Sequence, residues 1–197
     1  MSLPRIFCLV SSTDDLSLLS DLARAGVDGF QVRDKDVTTR ELVELTRVVL
    51  AAVHPLGATV VVDDRLDVAL ATGADGVHLG EHDLPVGLAA TIAPHLVLGA
   101  TCRDRDAVER AAAAGASYAG FGPVHDTTSK TGLPAALGTP AITDACGVLP
   151  LVAIGGIGPG RVGPALAAGA HGVAVLGAIW RDPDPVGVAK ELVRELG

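Results

Sequence analysis

The sequence contains few aromatic residues, few cysteines and no long uninterrupted hydrophobic run. Phe, Trp and Tyr together make up 3% of the 197 residues, whereas hydrophobic residues make up 49%. A core of small aliphatic side chains favours closely packed helices and parallel strands over an aromatic-rich β-sandwich. We expect one domain over residues 1–197, with a sizeable buried core.

The three cysteines, Cys8, Cys102 and Cys146, are widely spaced and form no metal-binding pattern. We therefore expect free thiols in a reducing cytoplasm rather than a disulfide framework or a zinc site. No apolar run approaches the ~20 residues of a membrane-spanning helix, and "MSLPR" leads directly into "IFCLV" without a signal peptide. The sequence therefore predicts a cytoplasmic protein with no membrane partner.

Positive charge is also scarce. The formal net charge of −8 argues against a nucleic-acid partner, because neutralising phosphates takes clustered Lys and Arg. A local basic pocket for a small anion remains compatible with this charge, so we expect small-molecule substrates. A homo-oligomer is also compatible with the sequence, which does not determine the number of subunits.

Short apolar runs alternate with longer amphipathic or Ala-rich segments along the whole chain. The predicted strands are, in order, "RIFCLV", "GFQVR", "ATVVVD", "GVHLG", "LVLGAT", "YAGFGPV", "LVAIGG" and "GVAVLG". Most lack polar alternation, which is typical of parallel strands covered on both faces. Eight strands with about eight helices predict a (β/α)8 TIM barrel, and a doubly wound open sheet is the alternative.

The segments between the strands carry helix signals. "TTRELVELTRVVLAAV" predicts a helix capped by Thr38 or Thr39, with Glu41 just after the cap. Its buried face is predicted to contain Leu42, Leu45, Val48 and Val49. A weak repeat, "RAGVDGFQV", "ATGADGVHL", "AAGASYAGF" and "AAGAHGVAV", places a Gly where each helix would end in a left-handed conformation before a strand.

Polar residues follow the predicted strands at their C-terminal ends, where barrel enzymes carry their active sites. Gln31, Arg33 and Lys35 alternate along "QVRDKD", so a strand would direct all three to one face. Two cations on one inward face favour an anion site. The alternative is a solvated strand end whose cations pair with Asp34 and Asp36.

Asp64 and Asp83 follow neighbouring predicted strands, in "VVVDDR" and "GVHLGEHDLP". Mg²⁺ commonly uses one or two carboxylates together with substrate phosphate oxygens, so this pair predicts a magnesium site. Alternatively, each carboxylate would cap the helix that follows it. His78 is expected to be a packed, hydrogen-bonded residue rather than a catalyst.

Two later loops add anion-binding features. "AIGGIGPG" places Gly155 and Gly156 after the seventh strand and immediately before a helix, whose N-terminal amides could bind phosphate. "GFGPVHDTTSKTGLP" crowds polar groups into one loop, where His125 is predicted to be exposed and is either an acid or base or without a role. Together, these features predict two anion subsites with a metal site between them.

In this order and spacing, the motifs resemble the thiamin phosphate synthase (thiamin-phosphate pyrophosphorylase) family, which includes related thiazole tautomerases. The resemblance rests on "QVRDK", "VDD…GADGVHLGEHDLP", "GAT", "GFGPVHDTTSK" and "AIGGI", and it covers nearly the whole chain. It implies a metal-assisted, dissociative condensation of hydroxymethylpyrimidine diphosphate with a thiazole monophosphate, releasing pyrophosphate.

The resemblance also implies residue roles. The diphosphate would be held by Arg33, Lys35, Thr101 and Lys130, of which Lys130, Arg33 and Lys35 are the predicted catalytic residues. Mg²⁺ would bind to Asp64 and Asp83, and the pyrimidine would contact Gln31. The thiazole phosphate would be held by Thr127, Ser129, Gly155 and Gly156, and the predicted substrate-binding set also includes Asp63 and Gly177.

The chain departs from the family pattern at Asp63 for Asn, Glu81 for Gln, Thr101 for Ser, Gly177 for Ser, and His125-Asp126 for an aromatic residue and Pro. Two alternatives therefore stay open. The first is a thiazole tautomerase, whose histidine would stand at Pro123. The second is a non-catalytic homologue that binds thiamin phosphates.

Overall fold

The computed structural model of the protein describes residues 2–128 and 134–197. Eight parallel strands follow one another around a closed barrel, and the last strand pairs with the first. The strands are β1 (Ile6–Val10), β2 (Gly29–Val32), β3 (Thr59–Asp63), β4 (Gly76–Leu79), β5 (Val97–Cys102), β6 (Tyr118–Phe121), β7 (Leu151–Ile154) and β8 (Gly172–Val175). The (β/α)8 prediction is confirmed, and the open-sheet alternative is wrong.

Helices surround this barrel. They are α1 (Leu19–Arg24), α2 (Thr39–Val53), α3 (Leu66–Thr72), α4 (Val86–Ile92), α5 (Arg105–Ala113), α6 (Pro140–Ala145), α7 (Val162–Ala167), α8 (Gly177–Trp180) and α9 (Pro185–Glu195). Short 3₁₀ segments occupy Leu16–Leu18 and His54–Leu56. Within the part of the chain that the structure describes, no helix combines the length and apolarity needed to cross a membrane.

The start of α2 shows how the local sequence specifies a helix end. Thr38 is the N-cap: its hydroxyl accepts from the Glu41 backbone N–H at 3.3 Å, and the Glu41 carboxylate accepts from the Thr38 N–H at 2.7 Å. The predicted buried face is confirmed for Leu42, Leu45 and Val49. It is wrong for Val48, which is 46% exposed because it lies about 100° around the helix from Val49.

The repeated glycines end helices as predicted. Backbone φ angles of +108°, +72°, +94° and +107° occur at Gly26, Gly73, Gly115 and Gly169. This left-handed conformation costs little at glycine and allows the chain to turn from a helix into the next strand. The repeat therefore marks recurring helix-to-strand junctions in one barrel.

The hydrophobic residues form an outer and an inner core. The larger core packs aliphatic side chains between the strands and the helices. The barrel interior is filled by Phe7, Leu9, Val61, Tyr118, Val152 and Ala174. The rings of Phe7 and Tyr118 stack with centroids 5.5 Å apart, so the predicted aliphatic core is confirmed inside the barrel only for the other four side chains. A narrow interior is filled more completely by two large planar rings than by small side chains.

Candidate active site

A cavity of about 1050 Å³ opens at the C-terminal ends of the strands. Every described residue of the predicted site lines it, namely Gln31, Arg33, Lys35, Asp63, Asp64, Asp83, Thr101, Thr127, Gly155, Gly156 and Gly177. The remaining two, Ser129 and Lys130, lie outside the described residues. The structure thus brings the described set to one place, while the individual roles stay predictions.

Strand β2 and its extension bring the basic residues into the cavity. Gln31 is 6% exposed, and Arg33 and Lys35 follow it at every second position, as the alternation along a strand requires. The alternative pairing with the neighbouring acids is wrong for Asp34, whose carboxylate accepts from the backbone N–H and hydroxyl of Ser12 at 2.9 and 2.6 Å.

The acids that do pair with these cations follow β3. The Asp63 carboxylate lies 3.2 Å from Arg33 Nε and 3.6 Å from Lys35 Nζ, and Lys35 also contacts Asp64. The register of β2 against β3, which opposes Val32 to Val62, brings Arg33 beside Asp63. The two cations are therefore paired with carboxylates of the protein inside the cavity.

Asp64 has an unusual backbone conformation at the end of β3. Its φ is +62°, a region that non-glycine residues seldom occupy and that is frequent at functional sites. Its backbone N–H donates to the His78 carbonyl at 2.7 Å. The helix-cap alternative is wrong, because the residue before α3 is Arg65 and no side chain caps that helix.

Asp83 lies in the loop after β4, where it also does not cap the next helix. The N-cap of α4 is Pro85, and Asp83 Oδ2 instead accepts from the Gly80 backbone N–H at 2.7 Å. Among residues 2–128 and 134–197 no cluster of three or more His, Cys, Asp or Glu forms a ready-made metal site. Two carboxylates facing one cavity do fit Mg²⁺, because that ion usually takes its other ligands from water and substrate phosphate.

His78 lies between the cavity residue Thr101 and the buried ring of Tyr118 inside the barrel. One ring nitrogen lies 3.1 Å from the Tyr118 hydroxyl and the other 3.0 Å from Thr101 Oγ1. Burial lowers the pKa of His78, which favours the neutral ring with one donating and one accepting nitrogen. The packed, hydrogen-bonded environment predicted for His78 is confirmed, and its contact orients the Thr101 hydroxyl.

Two glycines make room for this histidine. A Cβ atom at Gly120 would lie 2.6 Å from His78 Cε1, and one at Gly99 would overlap both His78 and Tyr118. Glycine in β5 and β6 therefore allows two rings to fit inside the barrel.

The glycine loop after β7 turns sharply beside the loop after β6. Gly155 and Gly156 have φ angles of +94° and +64°, and a Cβ at Gly156 would lie 2.8 Å from His125 Cβ. The start of the adjacent helix, α7, is capped by an acid from α9, while phosphate binding by the loop itself stays a prediction. Glu195 accepts from the backbone N–H groups of the first turn of α7, so those amides already have an acceptor.

His125 was expected to be exposed, and this prediction is also wrong. The side chain is partly buried, its Nε2 atom is buried without a hydrogen-bond partner among the described residues, and it does not line the cavity. Burial, followed by the nearby positive charge of Arg161, lowers its pKa. His125 packs behind the glycine loop because the chain at Gly156 carries no side chain there.

The prediction missed several cavity residues, among them Phe7, Arg103, Tyr118, Arg161 and Arg181. Arg103 donates to the carbonyls of Gly122 and Ala135 at 3.1 and 3.0 Å, so it joins the two described sides of the β6–α6 connection. Arg103 directly follows β5, just as Arg33 directly follows β2. Its position at a strand end could therefore have predicted its place in the cavity.

This fold and cavity define a class: a closed (β/α)8 barrel with its cavity at the C-terminal ends of the strands, where barrel enzymes carry their active sites. Residues 6–179 match the family described as "Thiamine monophosphate synthase" (TMP-TENI). The chain belongs to this family.

Similar proteins agree with this membership. The chain is 48% identical over 164 residues to a thiamine-phosphate synthase of Salinispora tropica, covering 82% of this chain and 79% of the relative. It is 42% identical over 194 residues to the bifunctional protein ThiM/ThiE of Symbiobacterium thermophilum, spanning 97% of this chain but only 40% of that longer protein.

Among solved structures, a thiamine phosphate pyrophosphorylase from Pyrococcus furiosus superposes with a TM-score of 0.88 at 29% identity. The superposition covers 98% of this chain and 95% of that chain.

Proposed function

We propose that this protein is a thiamine-phosphate synthase, a transferase that joins hydroxymethylpyrimidine diphosphate to hydroxyethylthiazole phosphate and releases pyrophosphate. The observation that supports this most directly is a single cavity that contains a cationic pair and carboxylates on one side and a glycine turn on the other. Its volume of about 1050 Å³ is at the upper end of ordinary ligand sites, which suits two substrates bound together.

The basic side of the cavity would take the diphosphate. Arg33 and Lys35 would exchange their contacts with Asp63 and Asp64 for contacts with phosphate oxygens, which charge-assisted hydrogen bonds favour. Gln31, held in the barrel wall below them, would contact the edge of the pyrimidine. Thr101 would donate its hydroxyl to the diphosphate while His78 holds it in place.

The opposite side would take the thiazole phosphate. Gly155 and Gly156 bring backbone close to the ligand without side chains, and Thr127 faces the same cavity. Ser129 is assigned here from the family resemblance, as is Lys130 at the diphosphate. The two phosphate groups then lie on different walls, which leaves the reacting carbon and nitrogen between them.

This arrangement suits a dissociative substitution. The C–O bond to the diphosphate breaks with its electron pair leaving on the diphosphate oxygen, and the aminopyrimidine ring carries the resulting cation. The thiazole nitrogen then donates its lone pair to form the C–N bond. No proton has to move, so fixed positive charge from Arg33 and Lys35 supplies most of the stabilisation.

Asp64 and Asp83 are the residues that would hold Mg²⁺. The ion would supply positive charge to the departing diphosphate. We expect product formation with added Mg²⁺ and none after chelation, and Asp64→Ala and Asp83→Ala should each require more metal for half-maximal rate. Full activity in excess chelator would contradict the assignment.

The decisive assay mixes both substrates and follows thiamine phosphate. Conversion of the thiazole tautomer without condensation would identify a tautomerase; the absence of His125 from the lining of the cavity favours the synthase over this alternative. Ligand binding without either reaction would identify a binding protein. Lys130→Ala should abolish condensation and leave the melting temperature unchanged.

Two further properties are proposals. The free thiols of Cys8, Cys102 and Cys146 support a reducing, cytoplasmic location. A homo-oligomer stays a prediction, which light scattering of the purified protein would measure.

A further inference from the structure

The helix end beside the glycine loop is already occupied by the protein's own carboxylate. Glu195, near the end of α9, accepts from the backbone N–H groups of Gly160, Val162 and Gly163 at 2.6, 3.2 and 3.3 Å. These three amides are therefore satisfied internally, and their residues do not line the cavity. A phosphate beside Gly155 and Gly156 would therefore gain no positive charge from the first turn of α7, and additional charge would have to come from side chains.

Two arginines stand at this wall. Arg161 Nη1 donates to the Gly156 carbonyl at 2.6 Å, and Arg181 Nη1 donates to Thr128 Oγ1 at 2.9 Å. Each arginine thus contacts one of the two loops to which the thiazole phosphate is assigned. Both side chains line the cavity.

These arginines differ from the cations on the opposite wall. Arg33 and Lys35 are paired with acids, whereas neither Arg161 nor Arg181 forms an ion pair with any carboxylate that the structure describes. Each guanidinium has donors beyond the one hydrogen bond given above. In a chain with a net charge of −8, two uncompensated arginines at one cavity wall are suited to bind an anion.

We propose that Arg161 and Arg181 bind the phosphate monoester of the second substrate and determine the preference for a phosphorylated over an unphosphorylated thiazole. This proposal rests on the proposed function and adds a role for two arginines that lie outside the family motifs. The two arginines would supply the positive charge that the first turn of α7, whose amides donate to Glu195, does not provide.

The test measures KM separately for the thiazole phosphate and for the pyrimidine diphosphate. In Arg161→Ala and in Arg181→Ala, KM for hydroxyethylthiazole phosphate should rise about tenfold, the usual cost of one charge-assisted hydrogen bond to phosphate. KM for the pyrimidine diphosphate should not change. Arg181→Lys should recover most of the affinity because it keeps the charge. The matched control is Arg110→Ala, which removes one exposed arginine on α5, away from the cavity.

Hydroxyethylthiazole without its phosphate separates binding of the phosphate from a general disturbance of the loop. Wild-type and both alanine variants should use this substrate equally poorly, so that the preference for the phosphorylated form falls about tenfold. Unchanged KM for the phosphorylated substrate, or an equal rise for both thiazoles, would overturn the proposal.

Calorimetry with hydroxyethylthiazole phosphate alone tests the arginines without turnover. Weaker binding in both alanine variants supports the proposal even if condensation is never observed, which would instead reject the proposed function. Equal binding by wild-type and variants rejects the role of the arginines whatever the enzyme catalyses.

Discussion

Replacing Asp63 by Asn should strengthen binding of the pyrimidine diphosphate. Asp63 is the carboxylate shared by Arg33 and Lys35, and it repels any anion that approaches those cations. An Asn side chain keeps an oxygen that can accept from Arg33 Nε. The substitution therefore removes the charge while retaining a hydrogen-bond acceptor for the arginine.

The size of the effect follows from the geometry. Asp63 Oδ2 lies 3.2 Å from Arg33 Nε, so a phosphate oxygen bound on the far side of the guanidinium would be about 6 Å from the carboxylate. Two unit charges at that distance repel by about 0.7 kcal/mol in water and about 2.8 kcal/mol at an effective dielectric constant of about 20. The Arg33 and Lys35 side chains are 23% and 46% exposed, so solvent screening favours the lower half of this range.

A gain of about 1 kcal/mol corresponds to a KM for the diphosphate that is about fivefold lower in Asp63→Asn. Steady-state kinetics at saturating thiazole phosphate measures it, and KM for the thiazole phosphate serves as the internal control. Raising the salt concentration should reduce the difference between variant and wild-type. A higher KM for the diphosphate would show instead that the carboxylate is needed to hold Arg33 and Lys35 in position.

Three other predictions concern the scaffold around the cavity. Glu195→Ala should raise KM for the thiazole phosphate without changing KM for the diphosphate, because the hydrogen bonds that hold the glycine loop to α9 are lost. The control is Glu191→Ala, an exposed change on the same helix, which should have no effect on kinetics. Gly120→Ala should lower the free energy of unfolding by about 1–3 kcal/mol in denaturant titrations, since the new methyl group displaces the His78 ring; wild-type stability would contradict the packing. The pKa of His78 is lowered by burial, so its contribution to stability is complete above about pH 6.5 and is lost as the pH falls below that value. In His78→Gln the free energy of unfolding should therefore fall less steeply between neutral and acidic pH than in wild-type. An identical pH dependence in the two proteins would contradict this prediction.

The residues at the end of β2 and their acidic partners after β3 differ in how well the sequence predicts them. Alternation along β2 correctly predicted that Gln31, Arg33 and Lys35 share one face, because side-chain direction in a strand is a local property. The partners of those cations could not be predicted in the same way. They depend on the register between β2 and β3, which opposes Val32 to Val62 and thereby brings Arg33 to Asp63 rather than to Asp34.

By itself, the sequence determined the number and order of the strands, the glycine junctions that end the helices, and the end of the barrel at which the polar residues gather. These features depend on local periodicity and backbone conformation. Only the tertiary structure decided that His125 turns away from the cavity and that Phe7 and Tyr118 stack inside the barrel. It also decided that Glu195 accepts from the Gly163 backbone N–H in the first turn of α7, although the two residues are 32 positions apart in the chain. Such contacts join distant segments, and their formation depends on how the closed barrel brings those segments together in space.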